Sequence, residues 1–141
     1  MHRRKFMQTV CVAGVGLMSG CKSTPELIRV LKKNNKLFVP LAEFIQKNTV
    51  SIAFEQGAIG VTRLIVEPSS DPKANEYTAV LLKCSHMGCA IDVNRNDMGF
   101  ICPCHGAKFS PHGEVVKGPA QEPLKQFITS SNNEFVIVHL S

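Results

Sequence analysis

The sequence predicts an all-β fold, an antiparallel β-sandwich. Three observations carry that prediction. From Leu37 onward, short apolar runs rich in Val, Ile, Phe and Thr recur at close intervals. Turn-forming clusters separate them: Gln56-Gly57, Pro68-Ser69-Ser70-Asp71-Pro72, Asn94-Arg95-Asn96-Asp97, Pro111-His112-Gly113 and Ser130-Ser131-Asn132-Asn133. There is no internal repeat and no low-complexity tract, and 141 residues with 44% hydrophobic content suffice for one packed core.

In chain order, residues 1–20 have the parts of an export signal: a charged Arg3-Arg4-Lys5 head, a mostly apolar stretch from Met7 to Leu17, and small residues before Cys21. Arg3-Arg4-Lys5-Phe6-Met7 resembles the twin-arginine export motif, and Met18-Ser19-Gly20-Cys21 resembles a bacterial lipobox, which makes Cys21 the expected lipidation site. The alternative is an uncleaved anchor, but the apolar stretch is about 14 residues against the roughly 20 that a spanning helix needs. Residues 21–36 are expected to be a tether with a short helix over 26–36, its Leu27, Val30 and Leu31 on one face. Ten strands follow in the domain 37–141: 37–41, 49–54, 61–66, 78–83, 91–93, 100–101, 108–110, 114–117, 126–129 and 135–140.

Charge narrows the function. The formal net charge is +5, but Arg3, Arg4 and Lys5 account for three of those charges and leave +2 on residues 21–141. No dense basic patch with interleaved aromatics remains, so a nucleic-acid partner is not expected. Aromatic residues are 6% of the chain and Trp is absent, which argues against a cofactor box of stacked rings. There is no Gly-rich phosphate loop and no Ser/His/Asp arrangement, and no catalytic residue is assigned. His112 and His139 are expected to be ordinary surface or core residues.

The chemistry lies in two boxes, Cys84-Ser85-His86-Met87-Gly88-Cys89 and Cys102-Pro103-Cys104-His105-Gly106, each near a strand end. A lone buried Cys is usually inert, but four Cys and two His in two tight clusters are not a core pattern. Three readings compete. Zinc could be held by Cys84, His86, Cys102 and His105, in a binding module without redox activity. A disulfide framework could consume all four Cys. An iron–sulfur cluster could take two Cys and two His. Zinc leaves two Cys idle, and disulfides leave both His idle.

The first box, Cys-x-His-x-Gly-Cys, and the second, Cys-Pro-Cys-His-Gly, resemble those of the Rieske family at every fixed position, with 12 residues between Cys89 and Cys102. Phe109, Gly113, Gly118-Pro119-Ala120 and Pro123-Leu124 resemble the family's stretch after the second box, with its proline loop. The resemblance implies a Rieske [2Fe–2S] cluster, with Cys84 and Cys102 on one iron and His86 and His105 on the other. It implies a Cys89–Cys104 disulfide joining the two cluster-binding loops at one end of a Rieske-like sandwich. Neutral imidazoles in place of two thiolates make the site less negative and raise its potential. Gly88 and Gly106 would let backbone N–H groups approach the sulfurs, and Pro103 would stiffen the second loop.

Departures from the family pattern matter as well. In quinol-oxidising relatives a Ser and a Tyr follow the second box and donate hydrogen bonds near the cluster; here Ala107 and Phe109 stand there. Loss of two donors predicts a lower potential. Met87 occupies an apolar shielding position. The function implied is single-electron transfer, as the iron–sulfur subunit of a membrane quinol-oxidising cytochrome bc-type complex. A quinol or cytochrome b-type subunit would be the donor and a c-type cytochrome the acceptor. The alternative is the small Rieske subunit of an exported molybdenum oxidoreductase of the arsenite-oxidase type. Either way the domain is expected on the extracytoplasmic side of the cell membrane, held by a lipid at Cys21 or by the uncleaved anchor.

Overall fold

The computed structural model describes residues 26–64, 76–94 and 99–141. The expected export signal and Cys21 lie outside the described residues. Twelve strands are present among them: β1 (Leu27–Ile28), β2 (Leu31–Lys33), β3 (Lys36–Pro40), β4 (Thr49–Phe54), β5 (Gly57–Leu64), β6 (Glu76–Leu81), β7 (Asp92–Asn94), β8 (Gly99–Ile101), β9 (Lys108–Phe109), β10 (Val115–Lys117), β11 (Gln126–Ser131) and β12 (Phe135–His139). A 3-10 turn, Leu41–Phe44, follows β3. The all-β prediction holds, and each of the ten expected strands has its counterpart in β3 to β12.

The expected helix at 26–36 is a correction. That stretch forms β1, β2 and a hairpin into β3. Ile28 and Val30 pack against the core while Leu27, Arg29 and Leu31 are exposed, a period of two that a helix would not give. Asn34 (φ 49°) and Asn35 (φ 56°) form the two-residue loop between the paired Lys33 and Lys36. Two consecutive positive φ values are what a tight type I′ hairpin requires, and Asn tolerates them. The Asn pair is a hairpin turn, not a frayed helix end.

Eight strands make one sheet in the order β1-β4-β5-β6-β11-β12-β3-β2, antiparallel except for β1 beside β4. Its two edge strands are separated in sequence by Arg29 and Val30 alone, a reach of about 11 Å. The sheet therefore curls until its edges nearly meet, and an ion pair, Lys32 to Glu55 at 2.6 Å, spans from β2 to the β4–β5 turn. Val39, Ile52, Ile59, Val61, Val136 and Val138 fill the inside, fully buried. β-branched side chains suit such a curved, pleated wall.

The second sheet, β10-β9-β8-β7, lies in the chain between β6 and β11. It packs on the outside of β5 and β6: Ile59, Val61, Ala79 and Leu81 face the first core, while Ala58, Val80 and Leu82 join Phe100, Phe109 and both free cysteines in a second. Gly60 makes this stacking possible. A Cβ there would stand 2.9 Å from the Phe100 ring and 3.0 Å from Leu82 Cδ2, and Phe100 is itself buried. Gly60→Ala should cost on the order of 1–3 kcal/mol by overpacking. Thermal or denaturant unfolding measures it; unchanged stability would mean that Phe100 is not seated on β5.

Candidate metal centre

Both boxes are six-residue loops closed by the same backbone bonds. In the first, the Cys84 N–H donates to the Cys89 carbonyl and the Gly88 N–H to the Cys84 carbonyl, both at 2.8 Å. In the second, the Cys102 N–H donates to the Ala107 carbonyl at 2.8 Å and the Gly106 N–H to the Cys102 carbonyl at 2.9 Å. The fifth residue of each loop is a glycine with positive φ, 76° at Gly88 and 74° at Gly106. The β8–β9 hairpin carries the second loop, and the Lys83–Ala90 bridge closes the first. This equivalence of the two loops was hidden in the sequence, because the boxes place His at different steps: third in the first loop, fourth in the second.

Each loop contributes one buried thiol and one exposed imidazole. Cys84 and Cys102 are unbridged, at 3% and 1% exposure. The rings of His86 and His105 meet edge to face with centroids 5.0 Å apart. Cys89 and Cys104 form a disulfide that joins the loops. The sulfurs of Cys89, Cys102 and Cys104 lie within 4.8 Å of one another, but two of the three are spent on each other, so this trio is not a ligand set.

Burial pushes the Cys84 thiol above the ordinary range; backbone N–H groups of His86 and Met87 pull it down, and the neighbouring Cys102 thiol pushes it up again. A buried thiol pushed up in this way resists ionisation unless a cation sits with it. The donor set fits a Rieske cluster on that ground: two shielded thiols to become thiolates, and two imidazoles at the solvent edge.

The surroundings are apolar. Ala107 and Phe109 are buried beside Cys84 and Cys102 in the second core, with no hydroxyl at either position. Met87 is 70% exposed, its thioether standing out in solvent. Pro103 is exposed in the second loop. The stretch after the box contributes buried Ala120 and Leu124 and a cis Gly118–Pro119 bond. One contact escaped the sequence reading: the Ser85 hydroxyl donates to the Glu122 carbonyl at 2.6 Å and ties the first box to that stretch. Nothing in the sequence links residues 37 positions apart.

An all-β scaffold that offers paired thiols and paired imidazoles on two joined loops is the architecture of a mixed thiolate–imidazole metal centre. The family model of the Rieske [2Fe-2S] domain matches residues 41–128, and the chain belongs to that family. Its cofactor is a Rieske [2Fe–2S] cluster, and it is an electron-transfer protein. The cytochrome b6-f complex iron-sulfur subunit of Chlorobaculum tepidum is 27% identical over 146 residues, covering 99% of this chain and 76% of that protein. Subunit 3 of the same name from Nostoc sp. is 52% identical over 88 residues, 62% of this chain and 48% of the subunit. The chain spans less than half the length of most of the curated relatives it matches. Among solved structures, the plasma membrane Rieske protein PetC3 of Synechocystis superposes with a TM-score of 0.59 at 27% identity, over 71% of this chain and 94% of that one.

The loop glycines supply a clean test of this geometry. At Gly106 a Cβ meets nothing within 4 Å, so the cost of Gly106→Ala is conformational alone, about 1–2 kcal/mol for an L residue held in the left-handed region. The expected outcome is a lower denaturation midpoint with weaker iron retention on dilution. Equal midpoints would show that the loop relaxes to a different backbone.

Proposed function

We propose that Cys84 and Cys102 hold one iron of the cluster and His86 and His105 the other, and that the chain moves single electrons at the outer side of a membrane. One observation carries the ligand assignment: two buried free thiols and two exposed imidazoles occupy equivalent loops that a disulfide holds together. The bound cluster stores one electron at a time. The residues around it do the rest: the apolar second core keeps water from the thiolates, and the imidazole edges face the solvent where a partner docks. Reduced-state EPR and visible absorption test the assignment. A brown protein whose EPR signal disappears in His86→Ala and in Cys102→Ala supports it; a colourless protein that binds zinc and no iron would sink it.

The partners follow from the relatives. Iron–sulfur subunits of cytochrome b6-f complexes support a quinol and a cytochrome b-type subunit on the donor side and a c-type cytochrome as acceptor. A plasma membrane relative supports the membrane location. No helix among the described residues is long and apolar enough to cross a bilayer, so attachment rests on residues 1–20 or on lipid at Cys21, after twin-arginine export. Because β1 starts at Leu27, the proposed tether shortens to residues 21–25, which reach about 18 Å when extended.

The buried Ala107 and Phe109 set the expected potential. Each hydroxyl restored near the cluster should favour the reduced, more negative state by about 1 kcal/mol, or roughly 40 mV for a one-electron couple. Potentiometry on Ala107→Ser with Phe109→Tyr should show an upward shift of that order per donor. No upward shift would mean that these two positions do not tune the centre.

A further inference from the structure

The outer wall of β2, β3, β12 and β11 departs from what a solvated sheet face carries. Leu37, Val39, Val136 and Val138 point into the core, so Phe38, Phe135 and Ile137 point outward. Leu31 stands directly across from Phe38, and Ile128 directly across from His139 on the same face. Phe38 and Phe135 pack edge to face at 6.0 Å, and Leu31 and Ile128 are 68% and 72% exposed. Five large apolar side chains thus run over four neighbouring strands where alternation calls for polar ones.

The charge on this wall has one sign. Lys33 and Lys36 face each other across the β2–β3 hairpin at its margin, both exposed. None of the four strands contains an Asp or Glu. The carboxylate nearest in sequence, Glu134, precedes β12 in the turn. His139 bonds to the Ser130 hydroxyl at 3.0 Å. The wall starts at β11, next to β6, and runs through β12, β3 and β2 away from β5 and β6, the strands that the cluster-bearing sheet covers. And β2, its edge strand, is joined through Arg29 and Val30 to β1, before which 26 residues run, including the Arg3-Arg4-Lys5 head and the apolar stretch behind it.

We propose that this wall rests on an anionic lipid surface, with Leu31, Phe38, Phe135, Ile137 and Ile128 at the headgroup boundary and Lys33 and Lys36 among the headgroups. Apolar side chains flanked by cations match that interface. A second copy fits less well, because a self-complementary contact would bring two pairs of lysines together with no carboxylate on these strands to answer them. Resting on this wall leaves the face of β5 and β6 that carries the second sheet uncovered by lipid, with the imidazole edges free for a partner. The inference builds on the proposed membrane tether.

The chain has no Trp, so Leu31→Trp in the full-length, cluster-loaded protein installs a single fluorophore on the wall, and Val116→Trp, equally exposed on the cluster-bearing sheet, is the control. Ile128→Trp serves as a second wall position if the first variant loses its visible spectrum. With phosphatidylcholine vesicles containing phosphatidylglycerol, the wall probe should shift to the blue and be quenched by brominated acyl chains, and the control should do neither. Lys33→Ala with Lys36→Ala should weaken that partition roughly thirtyfold, about fivefold for each lysine. If the protein sediments with vesicles while the wall probe stays unchanged, the tether stands and the lipid-facing wall is overturned. If nothing sediments, the tether itself fails and the wall with it. Wall emission already blue without vesicles, and indifferent to them, would show that this chain or a second copy covers the wall, which also overturns the proposal.

Discussion

Two thiols buried side by side are the constraint around which the cluster-bearing half of this protein is built. Cys84 and Cys102 lie against Phe100, Phe109, Ala107 and Leu124, where burial pushes the Cys84 thiol up and a thiolate needs help. Help comes from three directions. The N–H groups of His86 and Met87 point at the Cys84 sulfur. The loops that carry both thiols are closed by identical backbone bonds, so both sulfurs are delivered from the same kind of turn. The Cys89–Cys104 disulfide then fixes one loop against the other, which leaves the spacing of the thiols to covalent geometry instead of side-chain packing. Under the proposed ligation, an iron held by both would offset the charge that burial opposes.

The stacking of the two sheets follows from the same need. A pair of short loops cannot exclude water unaided, and a four-stranded sheet of two- and three-residue strands has little core of its own. It acquires one by borrowing the outer face of β5 and β6. That is why Gly60 has no side chain, why Phe100 lies across it, and why Val80 and Leu82 belong to the second core while Ala79 and Leu81 belong to the first. Placing the cluster-bearing loops between β6 and β11, which are themselves paired, anchors both ends of the insertion in one rigid sheet.

Much of this was legible in the sequence because the chemistry sits in residue types whose tandem spacing has few other uses. The paired boxes that hold Cys84, His86, Cys102 and His105 stand out in the sequence, and the apolar runs of β3 to β12 are separated by turn residues that speak locally. What was illegible depends on contacts distant in sequence or on a choice between two periods. Leu27, Val30 and Leu31 fit a helical stripe as well as Ile28 and Val30 fit a strand; only the neighbouring wall, which Ile28 and Val30 cover, decides between them. The Ser85–Glu122 bond and the closeness of β1 to β2 are products of the whole fold. The equivalence of the two loops is a backbone property, visible only once hydrogen bonds replace residue names.

The same layout sets a direction for electrons. On the thiol side, the second core puts a layer of buried hydrocarbon between the sulfurs and solvent; on the imidazole side, His86 and His105 stand exposed and in contact with each other. Under the proposed ligation, those two exposed rings offer a direct route for electronic coupling to a partner, whereas the second core offers only packed side chains. Exposure also lets water and a docking partner respond to the charge at that edge, while the buried edge stays apolar and unresponsive. With Ala107 and Phe109 lacking hydroxyls, the buried side offers no donor at these two positions to stabilise an added electron. Tuning must then come mainly from the backbone N–H groups of the loops and from whatever meets the imidazoles. Such a centre is governed by its partner more than one whose buried side carries its own donors.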